Sequence, residues 1–126
     1  MRAIDTDVLV RLVVRDDPRQ VERAEAFVEK SAWVSVLVLA EMTWVLDAVY
    51  EIEHSAIATA VEMLLSHESL ALQDPDVVAA ALGHYRRKPS LGFSDCLILE
   101  ITKKAGHKPL GTFDKRLGTL DGSQTL

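Results

Sequence analysis

The chain has 126 residues, 48% hydrophobic and 26% charged, with a net charge of −5, which predicts one domain over residues 1–126 with a buried core. Its only cysteine, Cys96, excludes an internal disulfide and a cysteine-based zinc site. No apolar run is long enough for a signal peptide or a membrane span, so we expect a cytoplasmic protein.

Hydrophobic periodicity and capping residues predict alternating strands and helices. In chain order the predicted elements are a strand at 2–5, a helix at 8–14 entered through Thr6 and Asp7, a helix at 18–30 opened by Pro18, a strand at 33–36, helices at 37–50 and 54–67, a strand at 70–72, a helix at 75–87, a helix at 94–106 capped by Ser94, and a strand at 109–113. This alternation predicts an α/β fold with helices on both faces of a mostly parallel sheet.

Three carboxylates fall at the same predicted edge of the sheet. Asp5 ends the first strand, Asp114 ends the last predicted strand, and Asp95 lies at the start of the helix between them. Ligands of open parallel sheets bind beyond the carboxyl ends of the strands, so this edge is a candidate site. Each acid taken singly is also typical of a helix cap, and that alternative stays open.

Glu41 lies in the least polar part of the chain, 34–49, where Asp47 is the only other charge. At about 100° per residue, Glu41 is predicted to share an apolar, buried face of its helix. The residues of that face are Leu37, Val38, Trp44, Val45 and Ala48, and the polar stripe opposite is Thr43, Asp47 and Glu51. A buried carboxylate is costly unless it is paired, protonated or bound to a metal. The alternatives to a metal are a Glu41 side chain that extends to solvent or one that pairs with Arg2 or Arg11.

Four carboxylates at one site repel one another, so they need a cation to stay ionised. Oxygen ligands alone favour Mg²⁺ or Mn²⁺. Such an ion activates water and stabilises the oxygens of an in-line displacement at phosphorus. Asp5, Glu41, Asp95 and Asp114 therefore predict a metal-dependent enzyme that hydrolyses phosphodiesters.

Four stretches of the chain resemble the motifs of one family. They are Ala3-Ile4-Asp5-Thr6-Asp7-Val8-Leu9-Val10-Arg11-Leu12, Val36-Leu37-Val38-Leu39-Ala40-Glu41-Met42-Thr43-Trp44-Val45-Leu46, Gly92-Phe93-Ser94-Asp95-Cys96-Leu97-Ile98 and Thr112-Phe113-Asp114-Lys115-Arg116-Leu117. In this order they resemble the PIN-domain ribonucleases, and among these the VapC-type toxins of prokaryotic toxin–antitoxin pairs.

The resemblance implies a PIN-like three-layer fold with a central sheet of about four to five short strands. It implies Asp5, Glu41, Asp95 and Asp114 as the acidic quartet that binds Mg²⁺ or Mn²⁺, with Thr112 as a polar supporter. It also implies an endoribonuclease that forms a homodimer and is neutralised by a cognate VapB-like antitoxin. Apolar residues of 57–65 would serve those partner contacts or, for most of them, the core.

Two positions depart from the family pattern. Asp7 stands where the family usually has Asn, so it either tightens the metal, changes the metal preference or only caps the helix. Arg116 stands where a further acid is common, which suggests a phosphate contact instead. Basic residues are concentrated late in the chain, with 8 Lys/Arg against 3 Asp/Glu at 84–116. The predicted RNA-binding residues are Arg86, Arg87, Lys88, Lys115 and Arg116; solvated helix ends are the alternative.

Other interpretations compete with this one. Asp5-Thr6-Asp7-Val8-Leu9 also fits the first motif of haloacid-dehalogenase-like phosphatases, in which Asp5 would be the nucleophile. The stretch 111–122 lacks the late paired acids which that family requires. A third alternative is a catalytically inactive PIN-like protein that only binds RNA or a partner. The four histidines show no ligand spacing and are assigned to surfaces.

Overall fold

Six helices and five short strands make up the structure, a computed structural model that describes residues 1–126. The predicted α/β class with about four to five strands is confirmed, and every strand pairing is parallel. The chain divides into two compact units, Met1–Pro75 and Asp76–Leu126, each with its own sheet. None of the helices combines the length and hydropathy that crossing a bilayer requires.

The first unit contains three strands and four helices. They are β1 (Arg2–Ala3), α1 (Thr6–Val14), α2 (Pro18–Val28), β2 (Ala32–Val34), α3 (Val36–Ala48), α4 (His54–Leu65) and β3 (Leu70–Leu72). The strands pair in the order β1-β2-β3. Helix α1 packs against α2 and α3, and α4 packs against α3 and β3. The core of this unit is apolar, and its fully buried side chains include Leu9, Val34, Leu39, Met42, Leu46, Ile57 and Val61.

Local sequence explains the starts of α1, α2 and α3. Asp17 caps α2 through a hydrogen bond from the Gln20 N–H, and Pro18 takes the first helical position. Ser35 caps α3 in the same way, accepting from Val38 N at 3.1 Å. The expected entry to α1 is wrong by two residues, because the helix begins at Thr6 and the cap is Asp5, whose side chain accepts from Thr6 N.

The second unit contains α5 (Pro75–Arg87, starting at the boundary residue), α6 (Phe93–Lys104), β4 (Leu110–Thr112), a 3₁₀ turn (Leu117–Thr119) and β5 (Ser123–Thr125). The predicted Ser94 cap is wrong, because the N-cap of α6 is Gly92. The start of this helix has no side-chain capping hydrogen bond. Strand β5 was not predicted. It pairs with β4. Thr125 of β5 packs directly on Gly118, where a larger side chain would overlap it.

The core of the second unit is built on α5 and α6. Its buried side chains include Val78, Leu82, Tyr85, Phe93, Cys96, Leu99 and Leu117. The rings of Tyr85 and Phe93 meet edge to face with centroids 5.5 Å apart. These contacts fix α6, and α6 carries Asp95 in its first turn.

Candidate metal centre

Thr6 connects two of the predicted site carboxylates in the first unit. Its N–H donates to Asp5 Oδ1 at 2.7 Å, and its hydroxyl Oγ1 donates to Glu41 Oε2 at 2.6 Å. Asp5 follows β1 and caps α1, whose N-terminus favours a negative charge. The structure therefore brings Asp5 and Glu41 to the same residue. Asp5, which follows β1, accepts from the backbone of Thr6, and Glu41, on α3, accepts from its side chain.

The predicted surroundings of Glu41 are wrong. Glu41 is exposed, and the apolar face it was assigned to points to solvent, with Leu37 67% and Trp44 66% exposed. The buried face of α3 consists of Leu39, Met42, Thr43 and Leu46, so Thr43 is also misplaced in the predicted polar stripe. Because α3 is apolar on nearly all sides, its hydrophobic pattern does not identify the buried face.

Of the two alternatives to a metal, exposure to solvent agrees with the position of Glu41 and pairing with Arg2 or Arg11 does not occur. Arg2 donates to the Phe27 carbonyl and stacks on the Phe27 ring at 3.9 Å from its centroid. Arg11 donates to the Tyr50 hydroxyl at 2.9 Å, and that hydrogen bond is the main reason that the pKa of Arg11 is raised. The side-chain partner of Glu41 is instead the neutral Thr6 hydroxyl, which leaves the charge of Glu41 uncompensated by a neighbouring cation.

Asp7 lies in the first turn of α1, is exposed and does not cap the helix. With Asp5 it lines a cavity of about 440 Å³ between α1 and α2. Arg11, Arg23 and Phe27 are also in the wall of this cavity. Asp7 therefore adds negative charge beside Asp5, in the wall of a space large enough for part of a ligand.

In the second unit, Asp114 is held in the turn after β4. Its Oδ1 accepts from the N–H of Arg116 at 2.8 Å and of Leu117 at 3.3 Å, and its own N–H donates to Thr112 Oγ1 at 3.0 Å. The Arg116 guanidinium donates to both carboxylate oxygens, from Nε at 3.3 Å and Nη2 at 3.1 Å. These hydrogen bonds, led by that of the Arg116 side chain, lower the pKa of Asp114.

Asp95 is half-buried in the first turn of α6. Its Oδ2 lies 3.6 Å from the position that a Cβ of Gly92 would take, so the carboxylate folds back over the start of the helix. Asp95 also acts on Arg116: the pKa of Arg116 is raised by its hydrogen bond to Asp114, then by the charge of Asp114, and in smaller part by the charge of Asp95. Asp95, Asp114 and Arg116 are therefore electrostatically connected.

The predicted RNA-binding residues fall in two places of the second unit. Arg86 and Arg87 lie in the last turn of α5 and are exposed, and Lys88 follows them, half-buried. Lys115 and Arg116 lie in the turn after β4, also exposed. Arg116 bridges to the loop after Lys88, because its Nη1 donates to the Ser90 carbonyl at 2.9 Å.

The donor set consists only of hard oxygen atoms, which fits Mg²⁺ or Mn²⁺. Within neither unit do three or more His, Cys, Asp or Glu side chains stand close enough to hold a metal ion together. Each unit instead offers two of the predicted carboxylates, Asp5 with Glu41 and Asp95 with Asp114.

Two side-chain contacts were missed by the sequence analysis, one at the Asp5 and Glu41 pair and one in the second unit. The role of Thr6 as a link to Glu41 was not predicted, because the two residues are far apart in sequence. His84, assigned to the surface, has only 15% of its side chain exposed, and its Nε2 lies 2.9 Å from Glu100 Oε2. Lys103 Nζ lies 3.3 Å from the same oxygen, so Glu100 is the common partner of a histidine and a lysine.

Comparison with known protein families gives a match over residues 3–122 to the family described as the PIN domain. The matched range contains all four predicted carboxylates and extends over both units. Searches of curated proteins and of solved structures returned no significant match.

Proposed function

This chain belongs to the PIN-domain family, and we propose that it is a Mg²⁺- or Mn²⁺-dependent endoribonuclease that hydrolyses RNA phosphodiester bonds. PIN domains are generally metal-dependent nucleases, and the metal is typically Mg²⁺ or Mn²⁺. The observation that carries the proposal is the contact of Thr6 with both Asp5 and Glu41, two acids from separate motifs of the family.

Asp5, Glu41, Asp95 and Asp114 are the proposed metal ligands. What supports this assignment is the ordered occurrence of all four acids within the matched range. A bound divalent ion supplies an activated water and stabilises the charge that develops on the phosphoryl oxygens. Thr6 orients the Glu41 carboxylate, and Thr112 holds the backbone of Asp114.

RNA binding is proposed for the basic residues of the second unit. They are Arg86, Arg87, Lys88, Lys115 and Arg116. Their charge offsets the acidic remainder of the chain, which would otherwise repel a polyanion. Phosphate contacts of this kind depend on salt and carry no sequence preference, so they position the RNA without selecting it.

We further propose that the chain acts as a VapC-type toxin that forms a homodimer and is neutralised by a VapB-like antitoxin. An apolar row on α3 supports a partner contact, because Leu37 and Trp44, two helical turns apart on one side of the helix, are 67% and 66% exposed. The stretch 57–65 is a poorer candidate. Ile57, Val61 and Leu64 are buried in the core, as expected for most of that stretch.

The metal mechanism is tested by replacing ligands without changing their shape. Asp5→Asn and Glu41→Gln are each expected to lower Mg²⁺-dependent RNA cleavage at least about 100-fold, and EDTA to abolish it in the unmodified protein. Asp47→Asn is the matched control, because Asp47 is an exposed carboxylate on the same helix as Glu41. Circular dichroism verifies that each variant is folded.

Three outcomes would contradict the proposal. Cleavage that persists in EDTA excludes the metal mechanism. Turnover of a small phosphomonoester that depends on Asp5, without RNA cleavage, supports the phosphatase alternative. Retained RNA binding without any cleavage in Mg²⁺ or Mn²⁺ supports an inactive PIN-like binding protein. The toxin role predicts growth arrest on expression, relieved by co-expression of a small neighbouring reading frame.

A further inference from the structure

The carboxylate of Asp114 is already occupied by hydrogen-bond donors. Oδ1 accepts from three of them, the backbone N–H groups of Arg116 and Leu117 and the Nε of Arg116. Oδ2 accepts from Arg116 Nη2. A carboxylate oxygen offers about two lone-pair directions, so the two backbone N–H groups alone fill those of Oδ1, whether or not the Arg116 guanidinium is in place. A metal ion has only Oδ2 to approach.

Arg116 is held at its other end as well. Its Nη1 donates to the Ser90 carbonyl at 2.9 Å, so the guanidinium is attached to two separate segments of the second unit. A planar guanidinium that contacts both carboxylate oxygens is well oriented even at the surface, where 59% of the Arg116 side chain is exposed. Arg116 thus has a defined position beside Asp114.

A divalent cation and a guanidinium cannot both lie close to one carboxylate without repulsion. Two positive charges repel one another more strongly as they approach, and the double charge of a divalent ion doubles that repulsion. The Arg116 guanidinium therefore opposes the binding of a divalent ion to Asp114. Arg116 also lies in the field of Asp95, a second proposed ligand.

Building on the proposed function, we propose that Arg116 is a positioning residue, an intramolecular counter-ion that occupies Asp114 in the metal-free chain and is displaced when Mg²⁺ or Mn²⁺ binds. Metal binding and release of Arg116 are then coupled, because the metal and the guanidinium compete for the same carboxylate. The released guanidinium has the donor geometry that a phosphate requires. Arg116 would then control metal affinity and RNA contact together.

The experiment measures Mn²⁺ affinity of the full chain without RNA, by titration calorimetry or electron paramagnetic resonance. Arg116→Ser is compared with Lys115→Ser, which removes the same charge from the same turn; Lys115 is exposed and lies outside the contacts of Asp114. An exposed ion pair is worth up to about fivefold in an equilibrium constant. We expect Arg116→Ser to bind Mn²⁺ about 3- to 5-fold more tightly than Lys115→Ser.

A second readout separates displacement from a purely structural role. Arg116→Ser is expected to lower the melting temperature without metal but to increase the stabilisation that Mn²⁺ gives. Arg116→Lys keeps the charge without the planar contact to both oxygens, so its Mn²⁺ affinity should lie between the wild type and Arg116→Ser. This variant tests the inference even if Arg116→Ser fails to fold.

The inference and the proposed function fail in different ways. Equal Mn²⁺ affinities of Arg116→Ser and Lys115→Ser, or weaker binding by Arg116→Ser, overturn the inference while RNA cleavage by the wild type still supports the nuclease. Absence of Mn²⁺ binding in the wild type and all variants overturns both. Mn²⁺ binding that appears only in Arg116→Ser and Arg116→Lys supports displacement.

Discussion

The hydroxyl of Thr6 donates a 2.6 Å hydrogen bond to Oε2 of Glu41 and so connects the start of α1 to α3. Hydrogen bonds to charged groups contribute about 1.5–3 kcal/mol, more than those between neutral groups. The contact fixes one carboxylate oxygen of Glu41 without neutralising its charge. The neutral Thr6 hydroxyl therefore sets the orientation of the Glu41 carboxylate and leaves its second oxygen available to a cation.

Replacement of Thr6 by valine removes this donor at nearly constant volume. RNA cleavage in Mg²⁺ is expected to fall about tenfold, since Glu41 is deprived of a hydrogen bond of that strength. Thr6→Ser restores the hydroxyl and should recover most of the activity. Steady-state kinetics of the three proteins measure the effect, and wild-type kcat/KM in Thr6→Val would show that the contact does not position Glu41.

The basic residues of the 115–116 turn predict a salt effect. Joint replacement of Lys115 and Arg116 by serine should weaken RNA binding and reduce the slope of log K against log salt by about 0.7 for each phosphate group that is no longer bound. Lys30→Ser, an exposed cation of the first unit, serves as the control. Fluorescence anisotropy at several salt concentrations measures the slope; an unchanged slope would leave both residues as solvated groups.

Trp44 predicts the location of the partner surface. If the exposed row on α3 forms the proposed homodimer, Trp44→Ser should weaken dimerisation by about 30-fold or more, because buried aromatic residues dominate interface energies. Met63→Ser is the matched control, since Met63 and Trp44 are both 66% exposed. Analytical ultracentrifugation over a range of concentrations measures the dimerisation constant of each protein. A wild type that is monomeric throughout contradicts the homodimer.

Cys96 predicts a dependence of stability on alkaline pH. Burial raises the pKa of its thiol from 9.0 to about 11. In the unfolded chain the thiol ionises near 9.0, so the stability of the fold decreases as the pH rises from that value toward about 11. Urea unfolding should show this decrease over the same interval, and Cys96→Ser should reduce it. Rapid labelling of the native thiol at about pH 8 would contradict the burial.

Sequence alone determined the features that depend on neighbouring residues. The alternation of short strands and helices, the start of α2 at Pro18, and the positions of Asp5 and Asp114 directly beyond strands follow from caps, prolines and hydrophobic period. The order of the motifs indicated the family, which the match over residues 3–122 confirms. These signals lie in neighbouring residues, so they can be recognised without a structure.

Tertiary structure decided the features that join distant segments. The face of α3 that is buried depends on its packing against α1 and α4, because a helix apolar on nearly all sides has no preferred direction of its own. The contact of Thr6 with Glu41 and that of Arg116 with Ser90 each join residues far apart in sequence, and no pattern of spacing predicts them. Such contacts depend on the folded geometry, and they determine how the proposed metal ligands are held.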